Sequence, residues 1–255
     1  VQKPDMLTAD FLPADYLIKT EEYGVPQKRH RVIVLGVRND LDIIPEQLSP
    51  YNAPNLSELI GDLPKLRSCR SGRLPDGRSF GDKTDTTERW LEAIRGEVSG
   101  KLLDEIAERK VSNLMKKVRN RKNCDLTNGG AFVSHDNNLS DRLGSLRRWL
   151  KDSKIKGTLQ HETRGHMDSD FARYLFVSSY GQIIGGSPRL HHYPDSLIPN
   201  HESAKEKEGK KRGFIDRFKV QLADSPASTV TSHIQKDGHY FIHCPSSYKL
   251  EHAPA

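Results

Sequence analysis

A chain of 255 residues, 35% hydrophobic and 29% charged, can bury a real but modest core in one or two domains under a highly charged surface. A formal net charge of +6 and a pI of about 9.1 favour nucleic acid or another anionic surface as partner. No apolar run approaches the roughly 18 residues that span a bilayer, and no secretory leader is visible. The three cysteines fit a reduced, cytoplasmic setting better than a disulfide scaffold.

Residues 15–19 (Asp-Tyr-Leu-Ile-Lys) read as a strand. The stretch Tyr23-Gly24-Val25-Pro26-Gln27-Lys28-Arg29-His30-Arg31 follows, running into Val32-Ile33-Val34-Leu35-Gly36-Val37. Gly24 permits unusual backbone angles and Pro26 fixes φ, which suits a turn. Residues 31–37 are apolar after Arg31 and rich in β-branched side chains, and they read as a strand buried on both faces, antiparallel to residues 15–19. If that strand begins early, alternation puts Gln27, Arg29 and Arg31 on one face. Two guanidiniums and an amide at the mouth of a buried strand make a site for something anionic and planar.

Residues 38–85 are turn-rich, with Pro45, Pro50, Pro54, Pro64 and Pro75. Within them residues 55–64 predict a short helix ended by Gly61 and Pro64. The polar, Gly-containing segment 71–87 reads as an exposed loop. A helix is expected next, because Leu103, Ile106, Ala107, Lys110, Val111, Leu114, Met115 and Val118 follow helical spacing, with Lys110 breaking the apolar stripe. Acidic residues early and basic residues late complement a helix dipole, which accounts for the basic run 116–122, with phosphate binding as the alternative.

Residues 141–151 predict a short helix with Leu143, Leu146 and Leu150 inward, leaving Arg147 and Arg148 to point elsewhere. Asp168 suits the N-cap of a helix over 169–176, with Asp170 in its first turn. Residues 205–219 carry seven Lys/Arg against three Asp/Glu and read as a solvated polar loop or a phosphate contact, with Lys211, Arg212 and Arg217 as candidates. His161-Glu162-Thr163-Arg164-Gly165-His166 invites a zinc-protease reading, but its histidines stand at i and i+5, about 140° apart on a helix. No Cys/His cluster has zinc spacing, so no metal is expected.

The sequence Tyr-Gly-Val-Pro-Gln-x-Arg-x-Arg at 23–31 resembles the Gln-x-Arg-x-Arg motif of the DNA cytosine-5 methyltransferases, with every specified position in order. Residues 217–221, 228–234 and 236–243 are similar to the end of the target-recognition region in bacterial members, and the interval from Arg31 to Thr229 suits that family. The His-Glu-x-Arg-x-His block, followed by Arg173-Tyr174, looks like one from the same region. There Arg164 has two readings, hydrogen bonding that ties the domain together or DNA contact. The family's Phe-x-Gly-x-Gly methyl-donor loop, Pro-Cys nucleophile loop and Glu-Asn-Val motif do not occur: the cysteines lie in Ser68-Cys69-Arg70, Asn123-Cys124-Asp125 and His243-Cys244-Pro245.

The resemblance implies a C-terminal fragment of a bacterial, restriction-modification type methyltransferase. The fold class it implies is α+β: an antiparallel hairpin left from a Rossmann-like domain (1–45), then a mixed, loop-rich target-recognition domain with a helical linker (46–255). It implies double-stranded DNA as partner, together with a catalytic subunit or missing N-terminal domain, and no membrane. The family's reaction flips a cytosine out of the duplex, adds a cysteine thiolate to carbon 6 and methylates carbon 5 from S-adenosylmethionine. By position, Arg31 would sit at the cytosine carbonyl oxygen, Arg29 would brace the nucleophile loop or a phosphate, and Gln27 would orient the turn. Thr229, Thr231 and Ser232 would touch DNA backbone. The fragment alone should bind no S-adenosylmethionine and should be inactive. The competing reading is a non-catalytic DNA-binding subunit or a degenerate methyltransferase.

Overall fold

The structure is a computed structural model that describes residues 12–71, 85–136, 139–198, 218–229 and 241–243. Among these residues it is α+β, with helices and strands in two-stranded ladders. The order is β1 (Ile18–Lys19), β2 (Gln27–Lys28), β3 (His30–Arg31), α1 (Leu56–Ile60), β4 (Cys69–Arg70), α2 (Thr87–Glu97), α3 (Gly100–Glu105) and α4 (Arg109–Arg119). Then come β5 (Gly129–Ser134), α5 (Ser145–Leu150), β6 (Gly157–Glu162), β7 (Gly165–His166), α6 (Asp168–Ile184), β8 (Val220–Gln221), β9 (Ala227–Ser228) and β10 (Ile242–His243).

The core lies where α2, α4 and α6 meet. Trp90, Leu91 and Ile94 of α2, Val111, Met115 and Val118 of α4, and Phe171, Leu175 and Phe176 of α6 form one buried cluster. Helix α2 was not expected. It starts at Thr86, whose side chain accepts from the Arg89 N–H, inside the segment read as a loop. Residues 72–84 of that segment lie outside the described residues. Its end is anchored, since Asp85 takes two hydrogen bonds from the buried Arg67, at 2.9 and 3.0 Å.

The single helix expected over 103–118 is two. Ile106 turns extended (ψ 113°), and Glu108 caps a new start by accepting from the Lys110 N–H. The break lets Leu102, Leu103 and Ile106 face the same core as Val111 and Met115, and the Ser112 hydroxyl secures it by donating to the Leu103 carbonyl at 2.7 Å. Ala107 and Lys110 of the expected stripe are exposed. Residues 141–150 also divide, into a 3-10 turn and α5 on either side of Gly144. Leu143 is buried there, but Leu150 is exposed. Helix α1 has the expected place, with a capping box between Asn55 and Glu58 and Gly61 at its C-cap.

Asp168 does not cap α6. Met167 holds that position, and the Asp168 carboxylate grips the Arg70 guanidinium with two hydrogen bonds, at 2.9 and 2.6 Å. That hydrogen bond raises the Arg70 pKa above its ordinary value. The pair fastens α6 to β4, which runs parallel to β7. Asp168→Ala should cost about 2 kcal/mol of folding stability, since the hydrogen bonds lost are charge-assisted and partly buried. Urea denaturation would measure it, and an unchanged midpoint would mean the pair is slack.

The buried strand expected over 31–37 is not formed. Pairing stops at Arg31, and Val32, Ile33, Val34 and Leu35 are all exposed, Val34 by 92%. Burial on both faces needs covering layers that the described residues do not supply. The exposed apolar character continues through Leu41, Ile43, Ile44 and Leu48. Among the described residues no helix is long and apolar enough to cross a membrane.

Candidate functional site around the 23–31 motif

The motif is held as a looped hairpin. Strands β1 and β3 pair antiparallel, Ile18 with Arg31 and Lys19 with His30. Between them the chain makes a 3-10 turn over Thr20–Glu22 and then the Gly24-Val25-Pro26 bend. Gly24 has φ +84°, and a Cβ there would lie 2.8 Å from the Tyr51 ring, so both backbone and space call for glycine.

Thr20 is the clamp of this loop. Its hydroxyl donates to the Gln27 carbonyl at 2.6 Å and accepts from the Arg29 N–H at 3.1 Å, spanning Lys28. His30 and Glu21 add a contact of 2.9 Å on the outside. Thr20 lies seven residues before Gln27, and no local pattern marks it. Only the hairpin register brings it to the motif.

The far end of the sequence closes over the same strand. β9 runs parallel to β2, Gln27 with Ala227 and Lys28 with Ser228, and the Thr229 hydroxyl donates to the Lys28 carbonyl at 2.6 Å. Gln221, buried beneath, locks β9 by exchanging two hydrogen bonds with Ser228, 2.8 Å to its hydroxyl and 2.9 Å from its N–H. The N-terminal turn of α1 docks on the same segment, its Leu56 and Ser57 N–H groups donating to the carbonyls of Ser225 and Ala223. Two sequence-distant stretches, singled out separately, thus form one structural unit. Gln221 was not among the expected site residues. Its partner Ser228 is seven positions on, and nothing local in the sequence signals the lock.

The side chains divide. Gln27 is half-buried at the β2–β9 seam, whereas Arg29 and Arg31 are exposed, and the Arg31 guanidinium donates to the His30 carbonyl at 2.7 Å. The chain leaves β2 at Arg29 and enters β3, which pairs with a different strand, so the motif is not one continuous strand. The hairpin thus carries two exposed arginines, able to meet an anionic or carbonyl group.

The His161–His166 block does structural duty. The His161 ring hydrogen-bonds the Pro64 carbonyl at 2.7 Å, the Arg164 carbonyl accepts from the Cys69 N–H at 3.1 Å, and the His166 ring meets Tyr174 edge-on at 4.9 Å. The Arg164 side chain is exposed. Among the described residues no group of His, Cys, Asp and Glu could hold a metal ion. Cys69 lies in hydrogen-bonding contact with Thr163 and Asn128, an internal packing position rather than a nucleophile's. Thr231, Ser232, Lys211, Arg212 and Arg217 lie outside the described residues.

The family model described as C-5 cytosine-specific DNA methylase matches residues 11–180, about two thirds of the chain. The Type II methyltransferase M.BbvI of Brevibacillus brevis is 43% identical over 53 residues, 20% of this chain and 14% of that protein. The Type II methyltransferase M.BspRI of Lysinibacillus sphaericus is 42% identical over 72 residues, 22% of this chain and 16% of that protein. The chain therefore spans well under two thirds of either relative in these matches. No solved structure matches.

Proposed function

We propose, from the premise that this chain belongs to the C-5 cytosine-specific DNA methylase family, that it supplies the DNA-recognition part of a DNA cytosine-5 methyltransferase in a restriction-modification system. The observation that supports this reading is the pairing of β9 with the Gln27–Lys28 strand, which brings Thr229, one residue past β9, and the Gln-x-Arg-x-Arg motif to one seam. In this reading residues 1–45 are the edge of a Rossmann-like catalytic domain and 46–255 the recognition domain. The exposed run from Val32 to Val37 then lies against the rest of that catalytic domain, carried upstream or by a partner subunit.

Within the site, Arg31 meets the carbonyl oxygen of a flipped cytosine, Arg29 braces a loop or a phosphate, and Gln27 keeps the seam. Arg164 and the basic residues Lys211, Arg212 and Arg217 contact DNA phosphates, with Thr231 and Ser232 at its backbone. S-adenosylmethionine does not fit these residues: the glycine loop that would hold it is not in the sequence, and neither is the Pro-Cys nucleophile. The chain's own contribution is thus to bind DNA and place Arg31, and alone it should transfer no methyl group.

Thr229 is a positioning residue. Thr229→Val keeps the shape and removes one neutral hydrogen bond, worth about 0.5–1.5 kcal/mol. In the complete enzyme it should weaken DNA binding about 2- to 10-fold and leave the methylated sequence unchanged. Equilibrium binding and mapping of the methylated sites test both halves. A shift in target sequence would assign Thr229 to base readout instead.

A further inference from the structure

A second cationic site stands at the end of α4. An open cavity of about 400 Å³ is lined, among the described residues, by Arg95, Arg119, Asn120, Arg121 and Lys122, four of them cationic and none a carboxylate. The helix dipole favours basic residues at α4's C-terminus, but it does not explain this arrangement. Arg95 comes from α2, and its guanidinium reaches across to donate to the Arg121 carbonyl at 2.6 Å. Two carbonyls near the end of α4 are already met by backbone, those of Lys116 and Val118 accepting from the Asn120 N–H and that of Val118 also from the Arg121 N–H. The Arg119 Nε is buried and has no hydrogen-bond partner among the described residues. A buried guanidinium nitrogen lacking an acceptor costs stability, and two helices here bring like charges together. An anion in the cavity offsets the like charges.

The geometry points to a phosphate-binding cradle formed by Arg95, Arg119, Arg121 and Lys122, taking a backbone phosphodiester of duplex DNA. It rests on the DNA-binding reading above and extends the expected footprint beyond the motif seam. Guanidiniums suit the ligand, since their planar forks match phosphate oxygens, and a concave basic surface concentrates its own field.

The test is duplex-DNA binding by the 255-residue protein across a salt series. Arg95→Gln/Lys122→Gln removes two exposed cations of the cradle. Lys116→Gln/Lys117→Gln removes the same charge from the exposed face of α4 outside it. The cradle pair should weaken binding about tenfold at low salt and lower the salt slope by about one, the signature of a lost phosphate contact. The control pair should do markedly less. Arg119→Lys, which keeps charge but loses the fork, should fall between, with a thermal melt confirming that it folds. Equal weakening by the two pairs, or none by the cradle pair, would overturn the cradle while leaving DNA binding intact. No binding by the unmodified chain would overturn both readings. Inorganic phosphate at matched ionic strength should displace DNA no better than chloride does. Stronger displacement that the cradle pair abolishes would reassign the site to free phosphate.

Discussion

Arg31→Ala should lower kcat for methyl transfer by about 10²- to 10³-fold in the complete enzyme while barely changing DNA affinity. The expectation follows from where the side chain sits. Arg31 ends the two-residue ladder with Ile18, and its exposed side chain donates, among the described residues, to the neighbouring His30 carbonyl. A guanidinium has five donors, so most of its capacity faces outward. Under the proposed role its partner is the cytosine carbonyl oxygen, where negative charge grows during the reaction. An interaction that strengthens only then appears in kcat and not in ground-state binding. Arg31→Lys keeps the charge but loses the planar fork, and should recover part of the rate. Steady-state kinetics beside equilibrium DNA binding separates the cases. Equal, small effects on both quantities would return Arg31 to the fold.

Trp90→Ala should cost about 3–5 kcal/mol of folding stability, a large part of what a domain of this kind holds. Trp90 is 2% exposed, meets the Phe171 ring edge-on at 6.3 Å, and donates from its indole N–H to the Ser68 hydroxyl at 3.1 Å. It therefore joins α2 to α6 and to the residue before β4 in one step. Trp90→Phe keeps most of the apolar volume and loses the hydrogen bond, so its cost should be about 1–2 kcal/mol. Urea denaturation followed by circular dichroism reads both values. A loss under 1 kcal/mol for Trp90→Ala would mean the three-helix core does not carry the stability assigned to it.

The motif was legible because its residues are contiguous and Gly24 needs its positive φ, but the single strand face expected to gather Gln27, Arg29 and Arg31 is not formed, since β2 and β3 pair with different strands. The seam itself was not legible. Nothing near Gln27 announces Ala227, and the Thr20 clamp and Gln221 lock are single polar residues whose meaning comes from tertiary contact. The apolar periodicity of 103–118 marked Leu103, Ile106, Val111, Leu114, Met115 and Val118 as inward, but not the break at Ile106–Glu108 that leaves Ala107 exposed, because a stripe reports which side is inward and not whether the axis is continuous. Residues 32–37 misled for a related reason. Composition states what a segment would bury, whereas burial requires a neighbour, and the described residues provide none. The basic run 116–122 had an adequate local explanation in the helix dipole, and only Arg95, arriving from α2, makes it a cavity.

The most direct test of the central claim is bisulfite sequencing of DNA from cells expressing the complete gene that encodes these residues. The proposed function predicts 5-methylcytosine at one fixed short sequence, strongly reduced by Arg31→Ala and kept at the same sequence in Thr229→Val. Absence of 5-methylcytosine with the unaltered gene, or undiminished methylation in Arg31→Ala, would contradict it.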